Sequence, residues 1–320
     1  MTNKDKYQQL CDSEPSIPIF SRGWWLDSVC DSPKHWNVIL IEKGGNIVAS
    51  MPYYIQYKYG FILLVQPPLT QKFGPWFRPS KAKYAKAIAE QKDLMQAMID
   101  QLPSFDYFQQ SWDYRNLNWL PFYWRNFKQT TRYTYILPNI VDESLIWSGM
   151  QTKIRTDIRK AESRFKLTVR DDVSLDIFLQ LNQLTFQRQG QEQPYSNDLI
   201  RSLDLACLKH HSRKILIAED SEGRYHAGVY IVWDDNSAYY LMGGSDPEMR
   251  NSGATSLCLW YAIRHAATVT QRFDFEGSMM ESVERFFRAF GAQQMPYFLL
   301  SKVPSRILKI THCLKNVLGS

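Results

Sequence analysis

The chain is poor in the residues and motifs that mark metal, disulfide and nucleotide-hydrolysis chemistry. Five cysteines (Cys11, Cys30, Cys207, Cys258, Cys313) are scattered through 320 residues, odd in number and never spaced C-x-x-C. That spacing excludes a disulfide framework and a zinc ribbon, and it fits a reducing compartment. Of six histidines only His210 and His211 are neighbours, and adjacency is not a metal-ligand spacing, so all six read as structural or surface residues and no metal is expected. No apolar run approaches membrane-spanning length. Met1 to Leu10 holds no apolar signal core, and the expectation is a cytoplasmic protein. Neither a G-x-S-x-G elbow nor a G-x-x-x-x-G-K-[ST] phosphate loop is present, which sets aside serine-hydrolase and P-loop chemistry.

What is present is globular. Hydrophobic residues make up 44% of the chain, with 10 Trp, 18 Tyr and 17 Phe to fill cores or apolar clefts, and the length suits two ordinary domains. The net charge of +6 is localised: Gln151 to Arg170 carries seven Lys or Arg against two Asp or Glu, and Lys302 to Ser320 carries four basic residues and no acid. Such stretches either meet an acidic partner (phosphate, nucleotide, nucleic acid) or form a solvated helix face and a basic tail.

The most ordered pattern runs from Lys214 to Val303. Lys214–Asp220, Tyr225–Trp233 and Ala238–Gly243 read as three strands joined by the turns Ser221-Glu-Gly223 and Asp234-Asp-Asn-Ser237. A loop, Gly244–Gly253, opens a helix near Ala254 that is apolar nearly all round and therefore buried. Arg272-Phe-Asp-Phe-Glu-Gly277 alternates like a strand end. Ser278-Met-Met-Glu281 has capping-box spacing, with Ser278 as the helix cap. Val283, Phe286, Phe287 and Phe290 share one helix face, Gly291 stops it, and Pro296–Val303 is the last strand.

The first half repeats this order. A loop and a short helix around Trp24-Trp-Leu26 precede a hairpin over Asn37–Tyr57. A strand at Phe61–Gln66, a loop, a helix over Ser80–Gln101, a strand at Phe105–Gln110, a short helix at Leu120–Phe127 and a strand at Gln129–Leu137 follow. Trp124-Arg-Asn-Phe127 before Tyr133-Thr-Tyr-Ile136 matches Phe287-Arg-Ala-Phe290 before Pro296-Tyr-Phe-Leu299, at a constant offset of 163 residues. Two tandem copies of one α/β unit are expected: residues 1–140, a basic linker helix over 141–166, and residues 167–320. The linker carries a narrow apolar stripe, Ile154, Ile158, Ala161 and Phe165, flanked by Lys153, Lys160 and Arg164 on one side and Arg155 and Arg159 on the other. Helices at Ser174–Gln187 and Asn197–His210 enclose a polar loop, Phe186 to Tyr195.

This element order resembles the core of the GNAT acyltransferase superfamily. Phe273-Asp-Phe-Glu-Gly-Ser278 with Glu284-Arg-Phe-Phe-Arg-Ala-Phe-Gly291, and Lys153-Ile-Arg-Thr-Asp-Ile-Arg-Lys-Ala-Glu162, are similar to the FemAB-like branch, which includes peptidoglycan aminoacyl transferases and acyl-CoA-using relatives. The resemblance implies tandem GNAT-like units, each a mixed, mostly antiparallel sheet flanked by helices. It implies acyl transfer from acetyl-CoA or another acyl-CoA to a small-molecule amine. Its alternatives are aminoacyl transfer from tRNA to a cell-wall precursor, or a non-catalytic binding protein. The superfamily's pyrophosphate pattern, Gln/Arg-x-x-Gly-x-Gly/Ala, falls on Arg250-Asn251-Ser252-Gly253-Ala254-Thr255, with Thr255 standing where Gly or Ala is usual.

Helix N-terminal amides and the helix dipole suit such a loop to a diphosphate. The corresponding loop of the first unit holds Pro67, Pro68 and Pro75, each lacking an N–H, so donor binding is assigned to the second unit and the acceptor cleft to the first. Aminolysis of a thioester needs a base for the amine. Strand alternation puts Asp274 and Glu276 on one face, either as a carboxylate pair with Glu276 as base or as structural partners of Arg272, Arg285 or Arg288. Tyr240 is either a proton donor or a core residue. Arg155, Arg159, Arg188 and Tyr195 are the candidate substrate contacts.

Overall fold

The computed structural model of the chain describes residues 1–277 and 279–309. In chain order these are α1 (Asn3–Ser13), α2 (Gly23–Val29), β1 (Trp36–Lys43), β2 (Asn46–Lys58), β3 (Phe61–Val65), β4 (Trp76–Phe77), α3 (Tyr84–Asp100), β5 (Tyr107–Ser111), α4 (Leu120–Trp124) and β6 (Lys128–Leu137). They continue as α5 (Glu143–Gly149), α6 (Thr152–Ser163), β7 (Thr168–Arg170), α7 (Leu175–Arg188), α8 (Asn197–Lys209), β8 (Arg213–Glu219), β9 (Tyr225–Trp233) and β10 (Ala238–Ser245). The last are α9 (Ala254–Ala266), β11 (Phe273–Asp274), α10 (Glu281–Arg288) and β12 (Gln293–Lys302). No helix among the described residues is long and apolar enough to cross a membrane.

Two elements depart from the sequence reading. Residues 3–13, expected as loop, form α1. Its start is a capping box in which Thr2 Oγ1 accepts from the Asp5 N–H and Asp5 accepts from the Thr2 N–H. The expected linker helix over 141–166 is two, because Met150 takes an extended conformation and Gln151 donates its N–H to the Ala289 carbonyl at 2.8 Å.

The chain folds into two compact units, one of Met1–Arg132 together with the chain from Pro296 on, the other of Tyr133–Met295. This redraws the expected division at 140 and 166, and strand pairing gives the reason. In the first unit the strand order is β1-β2-β3-β5-β12, with β3 and β5 parallel and the other pairs antiparallel. In the second it is β6-β11-β10-β9-β8-β7, with β10 and β11 parallel and the rest antiparallel. The repeat is therefore real in topology, but each copy's final strand has been exchanged. β6, which follows α4, pairs with β11, while β12, which follows α10, pairs with β5.

The first unit's core gathers Ile39, Ala49, Met51, Leu64, Met95, Phe108, Trp112 and Leu300. In the second, α9 is buried nearly all round, as its apolar sequence requires, and the α6 stripe (Ile154, Ile158, Ala161) packs in the same cluster as Leu257, Cys258, Ala262 and Ile263. Each fully buried Ile or Leu contributes about 1.5–3 kcal/mol, so α6 is anchored in the second unit and is not a linker. Its docking sets one wall of the site described next.

Candidate active site

The loop after β10 closes in a short 3-10 turn, Arg250–Ser252, and then Gly253 turns the chain into α9 at φ +84°. A Cβ on Gly253 would stand 2.3 Å from the Asp157 carbonyl oxygen of α6, so only glycine permits both this left-handed turn and the close approach of the two helices. Ser252 and Ala254 are buried, and the Ala254 N–H donates to Ser252 Oγ at 3.3 Å. The first main-chain bond inside α9 is Leu257 N–H to the Gly253 carbonyl. Among the described residues, that leaves the N–H groups of Gly253, Thr255 and Ser256 without a protein acceptor, as at an open helix start. These three residues line a cleft of about 310 Å³ with Arg250, Asn251, Lys153, Asp157, Lys160 and Phe286. Asp157 bridges the two lysines, 2.7 Å from Lys153 Nζ and 3.3 Å from Lys160 Nζ. Cations and open amides on one cleft suit it to an anion.

Arg155 and Arg159, expected as substrate contacts, do not line this cleft. At about 100° per residue, Arg155 lies roughly 200° and Arg159 roughly 240° round the helix from Lys153. Arg155 reaches Thr152 Oγ1 at 3.4 Å, and the Arg159 guanidinium sits over the Trp147 ring at 5.4 Å. Sequence reasoning noted Lys153 and Lys160 only as the other edge of the stripe and missed Asp157 and Ser256. The i, i+4, i+7 spacing of positions 153, 157 and 160 was the available signal.

Asp274 and Glu276 do not share a strand face. β11 ends at Asp274, which is 1% exposed and accepts from Thr134 Oγ1 at 2.5 Å and from the Glu276 N–H at 2.9 Å. That second bond spans two residues, an Asx-type turn. It bends the chain so that Glu276 sits at φ +62° and Gly277 at +59°. A left-handed conformation is uncommon for glutamate and costs free energy. Two of the three arginines expected beside these carboxylates pair elsewhere, Arg285 with Glu281 at 2.8 Å and Arg288 with Glu284 at 2.7 Å. Glu284 also accepts from the Tyr135 hydroxyl at 2.9 Å. The Arg288 bond, then the Tyr135 bond, hold its carboxyl below the usual range. Ser278 lies outside the described residues, and the residue capping α10 is Met280.

Asp274 thus acts as a buried clamp joining β6 to the Glu276 turn. Thr134→Val should lower stability by about 1–3 kcal/mol, the cost of leaving one lone pair of a buried carboxylate unmet. A urea midpoint identical to wild type would contradict this role.

Tyr240 packs edge-on against Phe287, ring centroids 5.9 Å apart, and burial raises its phenol well above the ordinary value. Tyr195 stands beside the Asn182 side-chain amide, its phenol pushed up to about 12 by burial. Both remain protonated at neutral pH. Arg188 ends α7 on the exposed surface.

Residues 148–288 match the family model described as Acetyltransferase (GNAT) domain. No curated protein matches the chain. Among solved structures the chain is similar to FemX (12% identity, 93% of this chain and 96% of that one, TM-score 0.68). It is also similar to the C-terminal domain of a putative lysylphosphatidylglycerol synthetase from Agrobacterium fabrum (13%, 94% and 92%, 0.55). A third likeness is to a tandem GNAT protein from the clavulanic acid biosynthesis pathway (9%, 93% and 93%, 0.50). Residues 148–288 thus match the acetyltransferase (GNAT) domain family model, and the chain shares the fold of FemX.

Proposed function

We propose that the chain transfers an acyl group from a CoA thioester to an amine by direct attack. The observation that carries this reading is the set of open amides at Gly253, Thr255 and Ser256 in a cleft bearing Lys153, Lys160 and Arg250. The donor's diphosphate accepts from these amides, and the lysines leave Asp157 in part to meet it. Thr255 presents its amide as Gly or Ala would, since the backbone and not the side chain supplies the donor. The amine nitrogen attacks the thioester carbonyl carbon, Glu276 takes the amine's proton, the C–S bond breaks, and the sulfur leaves as the CoA thiol after protonation. Tyr240 is assigned to the reactants' surroundings, and Arg188 to the acceptor. Isothermal titration with CoA and acetyl-CoA should give saturable heat. No heat at millimolar ligand would remove the reading.

A second reading rests on the basic edge that the cleft leaves unused. Arg159 is exposed and Arg155 half-buried on the far side of α6 from the cleft, where a polyanion larger than CoA, such as aminoacyl-tRNA delivering to a peptidoglycan precursor, would find them. Under it, tRNA binding weakens steeply with salt, and Arg155→Ala and Arg159→Ala each lower the salt slope by roughly one. Slopes unchanged in both variants count against tRNA as donor.

A further inference from the structure

β10 and β11 stay paired only at Ala238–Phe273 and Tyr239–Asp274. Further along, the edge of β10 is taken up by α7. Asn182 Nδ2 donates to the Gly243 carbonyl at 2.7 Å, and the Ser245 N–H donates to Thr185 Oγ1 at 3.0 Å. Two ladder positions are therefore capped by side chains of one helix. Between the last β11 pair and the first α7 cap lies Leu241, the residue skipped in the register with β9, where Tyr240 opposes Ile231 and Met242 opposes Tyr230. Three polar ends meet at this bulge. The Tyr240 hydroxyl lies over Gly243, so closely that a Cβ there would stand 1.8 Å from it. Tyr195, set edge-on against Phe186, brings its hydroxyl to the Asn182 amide and near enough to Tyr240 to add to the rise that burial gives the Tyr240 phenol.

Asn182 is 2% exposed, and its buried Oδ1 has no hydrogen-bond partner among the described residues. Turning the amide round does not resolve this, because Oδ1 would then face the Gly243 carbonyl, acceptor against acceptor. Buried orphan acceptors are rare in native proteins, and each needs a reason. Here the missing partner is a donor.

We propose that Asn182, Tyr195 and Tyr240 receive the polar end of the transferred acyl group, and that the donor is a thioester whose acyl chain carries an N–H or O–H rather than plain acetyl. The proposal rests on the CoA reading above and deepens it. β10 leads from this cluster into the loop that forms the anion cradle, so a thioester arm leaving the cradle along β10 meets Gly243 and then Tyr240. The Asn182 carbonyl accepts from the acyl group's ammonium or hydroxyl, and the two neutral phenols complete its shell. A site built around such a bond rejects the analogue lacking it, because the analogue leaves the site's own polar groups unpaired.

The test is titration of the full chain with CoA, butyryl-CoA, 3-hydroxybutyryl-CoA and β-alanyl-CoA. The expected result is that one of the two donor-bearing thioesters binds about tenfold or more tighter than butyryl-CoA, and that Asn182→Ala and Tyr195→Phe each bring that ratio towards one. Tyr195→Phe keeps the ring and its packing on Phe186, so it remains readable if Asn182→Ala fails to fold. Equal affinities in the wild type, as a trapped water on Asn182 would produce, overturn the proposal and leave the CoA reading standing. Selectivity that survives both variants overturns the assignment to these residues. Absence of heat with CoA and with every thioester removes the CoA reading and this proposal together.

Discussion

Gly253→Val is expected to abolish donor binding, lowering CoA affinity by about 100-fold or more. Valine at φ +84° is strained by its branched Cβ, a cost of about 1–3 kcal/mol. That Cβ would also sit 2.3 Å from the Asp157 carbonyl, so α9 must move away from α6. The amides of Gly253, Thr255 and Ser256 then lose their common aim. Hydrogen bonds to a charged group contribute about 1.5–3 kcal/mol each, so misplacing two accounts for the loss. Titration with CoA, alongside circular dichroism to confirm folding, checks it. A folded variant that binds CoA like the wild type would show that the cleft at α9 is not the donor site.

Glu276→Gln is expected to lower turnover by about 10²–10⁴-fold, the usual contribution of a positioned base, with little change in substrate affinity. Glutamine matches glutamate in shape, and the Asp274 bond to the 276 amide survives the change because it uses the backbone. Stability should therefore shift little, because the left-handed turn and its clamp are backbone features that the change leaves in place. The acid limb of the pH–rate profile, where the carboxylate takes up a proton and ceases to act, should disappear in the variant. CoA release from a thioester across a panel of amines is the measurement. Wild-type turnover in the variant would exclude Glu276 as base. A wild-type protein with no turnover on any amine would favour the non-catalytic binding reading.

Much of this architecture is written in local pattern. The alternation in Tyr225–Trp233, the all-round apolar face of α9 and the 163-residue offset between Phe127 and Phe290 each carry their information within a short window. What failed depends on longer or subtler relations. Which strand β6 pairs with is decided by closure of a sheet, and periodicity records a strand's face but not its neighbour. α1 has only Tyr7, Leu10 and Cys11 buried among eleven residues, too thin a stripe to stand out. Asp274-Phe-Glu276 alternates like a strand, yet a side-chain bond to the backbone turns it after Asp274. On α6, the stripe and both basic edges were legible, but the choice between Lys153 and Arg155 awaited the docking of Gly253 against Asp157.

The exchange of β6 and β12 bears on how the polypeptide can be divided. A cut between Pro138 and Asp142, where the repeat ends, would release an amino-terminal fragment carrying a strand that belongs against β11 and lacking the one that belongs against β5. Each piece alone would expose an unfilled sheet edge, a template for aggregation. Mixed together, the two supply each other's missing strand, so co-expressed halves should reassemble into a soluble heterodimer where either half by itself does not.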